Sequence, residues 1–162
     1  AFENLDRCVY VISDDTLNYL KGKKKCIDEM TVKTRDFYKD RSERNGFMSS
    51  KDILKTAYEA ISDKKGENTR IIDISKVSVI ADYFIVTNGS NVNQVQAIAD
   101  SVEEKLLEAG VKLKQVEGNN NSGWILMDFG DVIVHVFSKE ERFFYDLERI
   151  WSDGTNVEIE DL

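Results

Sequence analysis

The chain has 162 residues, 41% hydrophobic, 10% aromatic and 32% charged, with a formal net charge of −8, which suits one compact domain plus an appendage and excludes a disordered acidic polymer. Its apolar runs are strand-sized, no secretory leader is visible although Ala1 stands where a Met would, and a cytoplasmic protein without a membrane span is expected. The acidity is uneven: residues 1–47 hold 10 Lys and Arg against 9 Asp and Glu, and residues 48–162 hold 12 against 21, so the second part is expected to repel nucleic acid and to suit a basic protein partner.

Residues 1–47 predict a helical extension. Leu5, Val9, Ile12, Thr16, Leu17 and Leu20 recur at helical spacing, and Lys21, Lys23, Lys24 and Lys25 favour the negative end of that helix. A second helix starts at Asp28 or Thr31 and runs through Val32, Phe37 and Tyr38 toward Asn45. Cys8 and Cys26 fit no metal or redox spacing and are read as reduced thiols. The run SDDTLNYLKGKKKCIDEMTVKTRDFY resembles the C-terminal helices of bacterial HD-domain phosphohydrolases, which implies a remnant or fragment of such a domain. Those enzymes need several His and Asp ligands, and His135 is the chain's only histidine, so no hydrolase site is expected.

From Met48 a second domain is predicted over 48–152. Ser49 or Ser50 caps a helix with Ile53, Leu54, Ala57 and Ile61 on one stripe, ended by Gly66. Strands follow at 70–75 and 82–87, then a loop at 88–91 and a helix from Val92 to Gly110. A strand at 111–117 and a polar loop at 118–122 lead into a hairpin. One helix over 139–151 comes last, with Phe143, Phe144, Leu147, Ile150 and Trp151 turned inward, and 153–162 reads as a frayed acidic tail. The fold class is therefore α/β, a two-layer mixed sheet with helices on one face.

The hairpin, GWILMDFGDVIVHVF at 123–137, organises the rest. A two-residue turn at Gly130 and Asp131 sets Phe129 opposite Val132, Asp128 opposite Ile133, Met127 opposite Val134, Leu126 opposite His135, Ile125 opposite Val136 and Trp124 opposite Phe137. Ile125, Met127, Phe129, Val132, Val134 and Val136 then make an apolar face that belongs under helices. Trp124, Leu126, Asp128, Ile133, His135 and Phe137 make the other face, aromatic and aliphatic with one carboxylate and one imidazole. Two readings of it stand: an open docking surface, or a face covered by a further helix with His135 satisfied inside.

Catalytic patterns are incomplete. Ser90 has no histidine other than His135 to activate it, and Asp128-Phe129-Gly130 matches three letters of the kinase metal motif without that motif's other parts. Gly89-Ser90 before a helix fits a triphosphate-binding turn, but Asp128 and Asp131 straddle a turn and do not share one strand face. No enzyme, no cofactor and no metal are expected.

ADYFIVTNGS, QVQAIADSVEEKL, the segment from Trp124 to Phe137 and RFFYDLERIW, in this order, resemble the ribosomal silencing factor family, also called the Iojap family, over about 48–152. Asn93 departs from the Arg common before the Gln-Val pair. The resemblance implies a nucleotidyltransferase-like fold without the catalytic aspartates. It also implies a translation repressor that binds the large ribosomal subunit through ribosomal protein fourteen and sterically blocks joining of the small subunit. The positions matching the partner-contact surface are Trp124, Leu126, Asp128, His135 and Phe137, with Asp82 and Tyr83 beside them. Trp124 is the expected anchor, Asp128 the partner of a Lys or Arg, and His135 a hydrogen-bonding neighbour that makes binding pH-sensitive. The alternatives are a nucleotide-binding protein of the transferase-like class and a homodimer through the same sheet face.

Overall fold

The computed structural model describes residues 48–78 and 80–162; the helical pair expected over 1–47 lies outside the described residues, together with its likeness to phosphohydrolases. Helix α1 (Ser50–Asp63) starts at a capping box: Ser49 Oγ accepts from the Asp52 N–H and the Asp52 carboxylate accepts from the Ser49 N–H. The Ser49 hydroxyl, which also donates to the Asp52 carboxylate at 2.8 Å, and then the Ser49 N–H hold that carboxyl below its usual range. Ile53, Leu54, Ala57, Ala60 and Ile61 form its buried stripe. At Gly66 the chain passes so close to α1 that a Cβ would lie 2.4 Å from the Ile61 side chain.

The remaining elements are β1 (Glu67–Asp73), β2 (Tyr83–Gly89), α2 (Val92–Glu108), β3 (Gln115–Asn119), β4 (Trp124–Asp128), β5 (Val132–Ser138), α3 (Lys139–Tyr145), α4 (Leu147–Ile150) and β6 (Thr155–Val157), with 3-10 turns at Asn120–Ser122 and Ile159–Asp161. Six strands form one sheet in the order β3-β4-β5-β2-β1-β6. β2 and β5 run parallel, and the other neighbours run antiparallel. The β4–β5 register matches the expected hairpin at every pair from Trp124–Phe137 to Asp128–Ile133, and the Phe129 N–H donates to the Val132 carbonyl at 3.0 Å. Gly130, at φ +95°, supplies the left-handed turn residue.

The sheet has a core on each side. Ile125, Met127, Phe129, Val132, Val134 and Val136 pack with the stripes of α1 and α2, as their alternation requires. Trp124, Leu126, Ile133 and Phe137 pack with Phe84 and Val86, beneath Leu147, Ile150 and Trp151 from the α4 segment and Ile74, Ile80 and Ala81 from the β1–β2 connection. The expected two-layer arrangement with helices on one face is thus corrected: the second face is covered as well, by short helical and loop segments.

Three boundaries also differ from expectation. β1 starts at Glu67, with a bulge between Glu67 and Arg70, and β3 starts at Gln115 rather than Val111. The helix expected over 139–151 breaks at Asp146, which adopts φ 45°, ψ 52° and donates its N–H to the Arg142 carbonyl at 3.0 Å; Asp is one of the few residues that enters this region readily. The break drops Leu147, Ile150 and Trp151 onto the sheet and leaves Phe143 and Phe144 outside. The tail is not frayed: β6 pairs with Ile71, Ile72 and Asp73, and Ile159 and Leu162 pack on the first core.

Candidate functional site

Trp124 begins β4 directly after Gly123, which holds φ +72° at a place where a Cβ would lie 2.4 Å from the Glu141 side chain. The indole therefore enters the sheet tight against the start of α3. It stacks on Phe137 with ring centroids 4.9 Å apart and meets Tyr145 at 4.8 Å. Its Nε1–H donates to Nδ1 of His135 at 3.1 Å. His135 consequently carries its proton on Nε2, which has no hydrogen-bond partner among the described residues. The imidazole is 1% exposed, and burial pushes its pKa down to about 3. Phe84 lies edge-on to it at 4.7 Å and edge-on to Trp151 at the same distance.

This geometry decides between the two readings of the face. Trp124 is 5% exposed, and Leu126, Asp128, His135 and Phe137 are at 1% or less, so the expectation of an open docking face is corrected. The cover is α4 and its flanks. A neutral imidazole inside an aromatic core does not titrate near neutrality, so the expected pH-sensitive contact at His135 falls with it.

The seven predicted residues do not form one group. Trp124, Leu126, His135 and Phe137 lie together at the α3 end of the hairpin. Asp128 lies at the other end, where its Oδ1 accepts the Gly130 N–H at 2.8 Å and braces the turn. Asp82 and Tyr83 are half-buried at that same end, and both donate their N–H groups to the Asp131 carbonyl, at 2.7 and 3.1 Å. Burial, then Asp73 and Asp82, raise the Tyr83 phenol above its ordinary pKa. The turn at Gly89-Ser90 is closed on itself: Ser90 N–H and Oγ–H donate to Gln94 Oε1, while Gln94 Nε2–H donates to the carbonyls of Lys64 and Lys65. Among the described residues no three His, Cys, Asp or Glu side chains are placed to hold a metal ion.

The residue pattern gave the helix at 139–145 but not the way α3 is fastened or the outward placement of Phe143 and Phe144. Arg142 is mostly buried and donates from Nε and Nη2 to Glu148 Oε1, at 3.0 and 2.7 Å, and from Nη1 to Asn88 Oδ1 and the Glu67 carbonyl, at 2.9 and 3.2 Å. Lys139 pairs with Glu67 at 2.9 Å. This fastens α3 to β1, β2 and α4 along a cleft of about 1140 Å³ lined by Glu67, Arg142, Phe143 and Trp151 among others. Phe143 is 89% exposed and Phe144 67%. The signal that could have exposed them is Asp146, since an αL-tolerant residue between Tyr145 and Leu147 allows the inward stripe to be interrupted.

Comparison with known proteins bears on this domain. The family described as "Ribosomal silencing factor during starvation" matches residues 48–162. A protein of Halalkalibacterium halodurans named ribosomal silencing factor RsfS is 42% identical over 113 residues, covering 70% of this chain and 97% of the relative. The protein of that name from Bacillus subtilis is 41% identical over 113 residues, covering 70% of this chain and 96% of its own length. A crystal structure of a Chromobacterium violaceum protein superposes with a TM-score of 0.63 at 41% identity, covering 65% of this chain and 88% of that one.

Proposed function

The chain belongs to the ribosomal silencing factor family, and from that premise we propose that it represses translation by binding the large ribosomal subunit through ribosomal protein fourteen and barring the small subunit sterically. The single observation that carries this reading is the match along nearly the whole length of relatives that bear the silencing name. The charge of the domain supports it: 12 Lys and Arg against 21 Asp and Glu over 48–162 suit a basic ribosomal protein better than ribosomal RNA.

In this reading the mechanism is occupancy. A folded acidic body seated beside the subunit interface excludes the other subunit without turnover, and the transferase-like sheet serves only as scaffold, in the cytoplasm. Trp124, Leu126, His135 and Phe137 contribute from beneath, as the bed on which α3 and α4 are set. Asp128, Asp82 and Tyr83 hold the far turn of the same sheet. A homodimer through the Trp124 face would need α4 to lift away, so self-pairing there is no part of the mechanism.

The test is subunit joining. Purified small and large subunits are mixed with and without the full chain and separated on a sucrose gradient. The expected result is loss of joined ribosomes, with the protein travelling with the large subunit. Joining that proceeds unchanged at saturating protein, or travel with the small subunit, defeats the reading.

A further inference from the structure

We infer that the outer side of α3, with Phe143 and Phe144 at its centre and Glu140 at its rim, is the surface that grips a cationic protein partner offering an apolar hollow. This rests on the reading above that the partner is a basic protein of the large subunit, and it names the part of this chain that makes the contact.

Two adjacent phenylalanines at 89% and 67% exposure on a seven-residue helix leave apolar area in water that burial against a partner would remove. Scattered surface apolar groups are ordinary, but a contiguous aromatic pair marks a contact. α3 is pinned from below by the Arg142 bonds to Glu148, Asn88 and Glu67 and by Tyr145, which lies 4.8 Å from Trp124 and 5.7 Å from Phe144. A helix fastened in this way needs little backbone ordering on docking.

Charge selects the occupant. The segment 138–153 carries three cations, and each already has a carboxylate: Lys139 with Glu67, Arg142 with Glu148 and Arg149 with Asp146. Glu140 and Glu141 have no ion-pair partner within that set. Glu140 precedes Phe143 by three residues and Phe144 by four, so all three share one helix face. A partner contacting this face meets aromatic rings edged by negative charge, which favours Lys or Arg around an apolar hollow and opposes a phosphate backbone.

The experiment uses the full chain as wild type, Phe143→Ser/Phe144→Ser and Glu140→Lys, with two probes: salt-washed large subunits and isolated ribosomal protein fourteen. Because the substituted side chains are exposed, circular dichroism and Tm should match wild type. The expected result is at least tenfold weaker binding of the double variant to both probes, with a smaller loss for Glu140→Lys that fades as salt is raised. A double variant that binds both probes like wild type overturns the inference. So does one that loses large subunits but keeps protein fourteen, which would assign the patch to RNA, or one that alters only the oligomeric state on size exclusion, which would assign it to a second copy. Wild-type chain that binds neither probe defeats the underlying reading itself, a result distinct from failure of the variants alone.

Discussion

The indole Nε1–H of Trp124 donates to Nδ1 of His135 at 3.1 Å inside the core between the sheet and α4. The bond needs a neutral imidazole, since a doubly protonated ring has no acceptor on Nδ1.

Stability should therefore fall in acid through His135. The group titrates near the ordinary 6.5 when unfolded and at about 3 when folded, so below 6.5 the unfolded chain binds a proton that the folded chain refuses. The contribution is fully present above about pH 6.5 and is lost as pH falls toward about 3, at up to roughly 1.4 kcal/mol per pH unit. Urea unfolding at pH 7 and pH 5 should differ by about 2 kcal/mol more in wild type than in His135→Phe. Equal pH dependence in the two proteins would show that His135 is not the titrating group.

Trp124→Ala should be a folding variant before it is a binding variant. It removes a ring that stacks on Phe137 and Tyr145 and deletes the donor to His135, and large-to-small changes of this kind cost about 3–5 kcal/mol. Trp124→Phe keeps the ring stack and should cost less. Urea unfolding of both variants checks the order; an Ala variant as stable as wild type would mean that the indole is not packed in the core.

The hairpin register was readable because strand alternation has period two and Gly130-Asp131 fixes the turn, so each pair from Trp124–Phe137 to Asp128–Ile133 followed. Whether that face was open or covered was not readable, because Asp128 and His135 look the same in sequence whether they meet water or an internal donor. Only the Asp146 break brings Leu147, Ile150 and Trp151 over the face, and one αL residue leaves the helical spacing of 139–151 unchanged on paper. For the same reason Phe143 and Phe144 read as core.

Arg142→Met should loosen α3 without opening the sheet. The guanidinium joins Glu148, Asn88 and Glu67, and with it gone the Glu148 carboxylate and the buried Asn88 amide lose a partner, at about 2–3 kcal/mol. Arg142→Lys should rescue little, because one ammonium cannot reach partners on both sides. Hydrogen exchange should speed up at the amides of Phe144, Tyr145 and Asp146 while Val134 and Val136 stay protected. Unchanged exchange in α3 would deny the network its anchoring role.

Ending the chain after Ser152 tests the tail. If 153–162 were frayed, nothing would change. Instead β6 covers the outer edge of β1 at Ile71, Ile72 and Asp73, and Val157, Ile159 and Leu162 pack against the α1–α2 core. Removal uncovers that apolar surface and leaves strand β1 with open hydrogen-bonding groups, a template for pairing with other chains. The expected loss is about 2–4 kcal/mol, from partial burial of three aliphatic side chains, with a lower urea midpoint and a rise in light scattering on heating. The tail contacts β1 and the first core, whereas α3 is fastened through Arg142 to the start of β1 and to β2, so Phe143 and Phe144 should keep their presentation in the fraction that remains folded. A truncated chain with the wild-type urea midpoint would place the tail outside the cooperative unit.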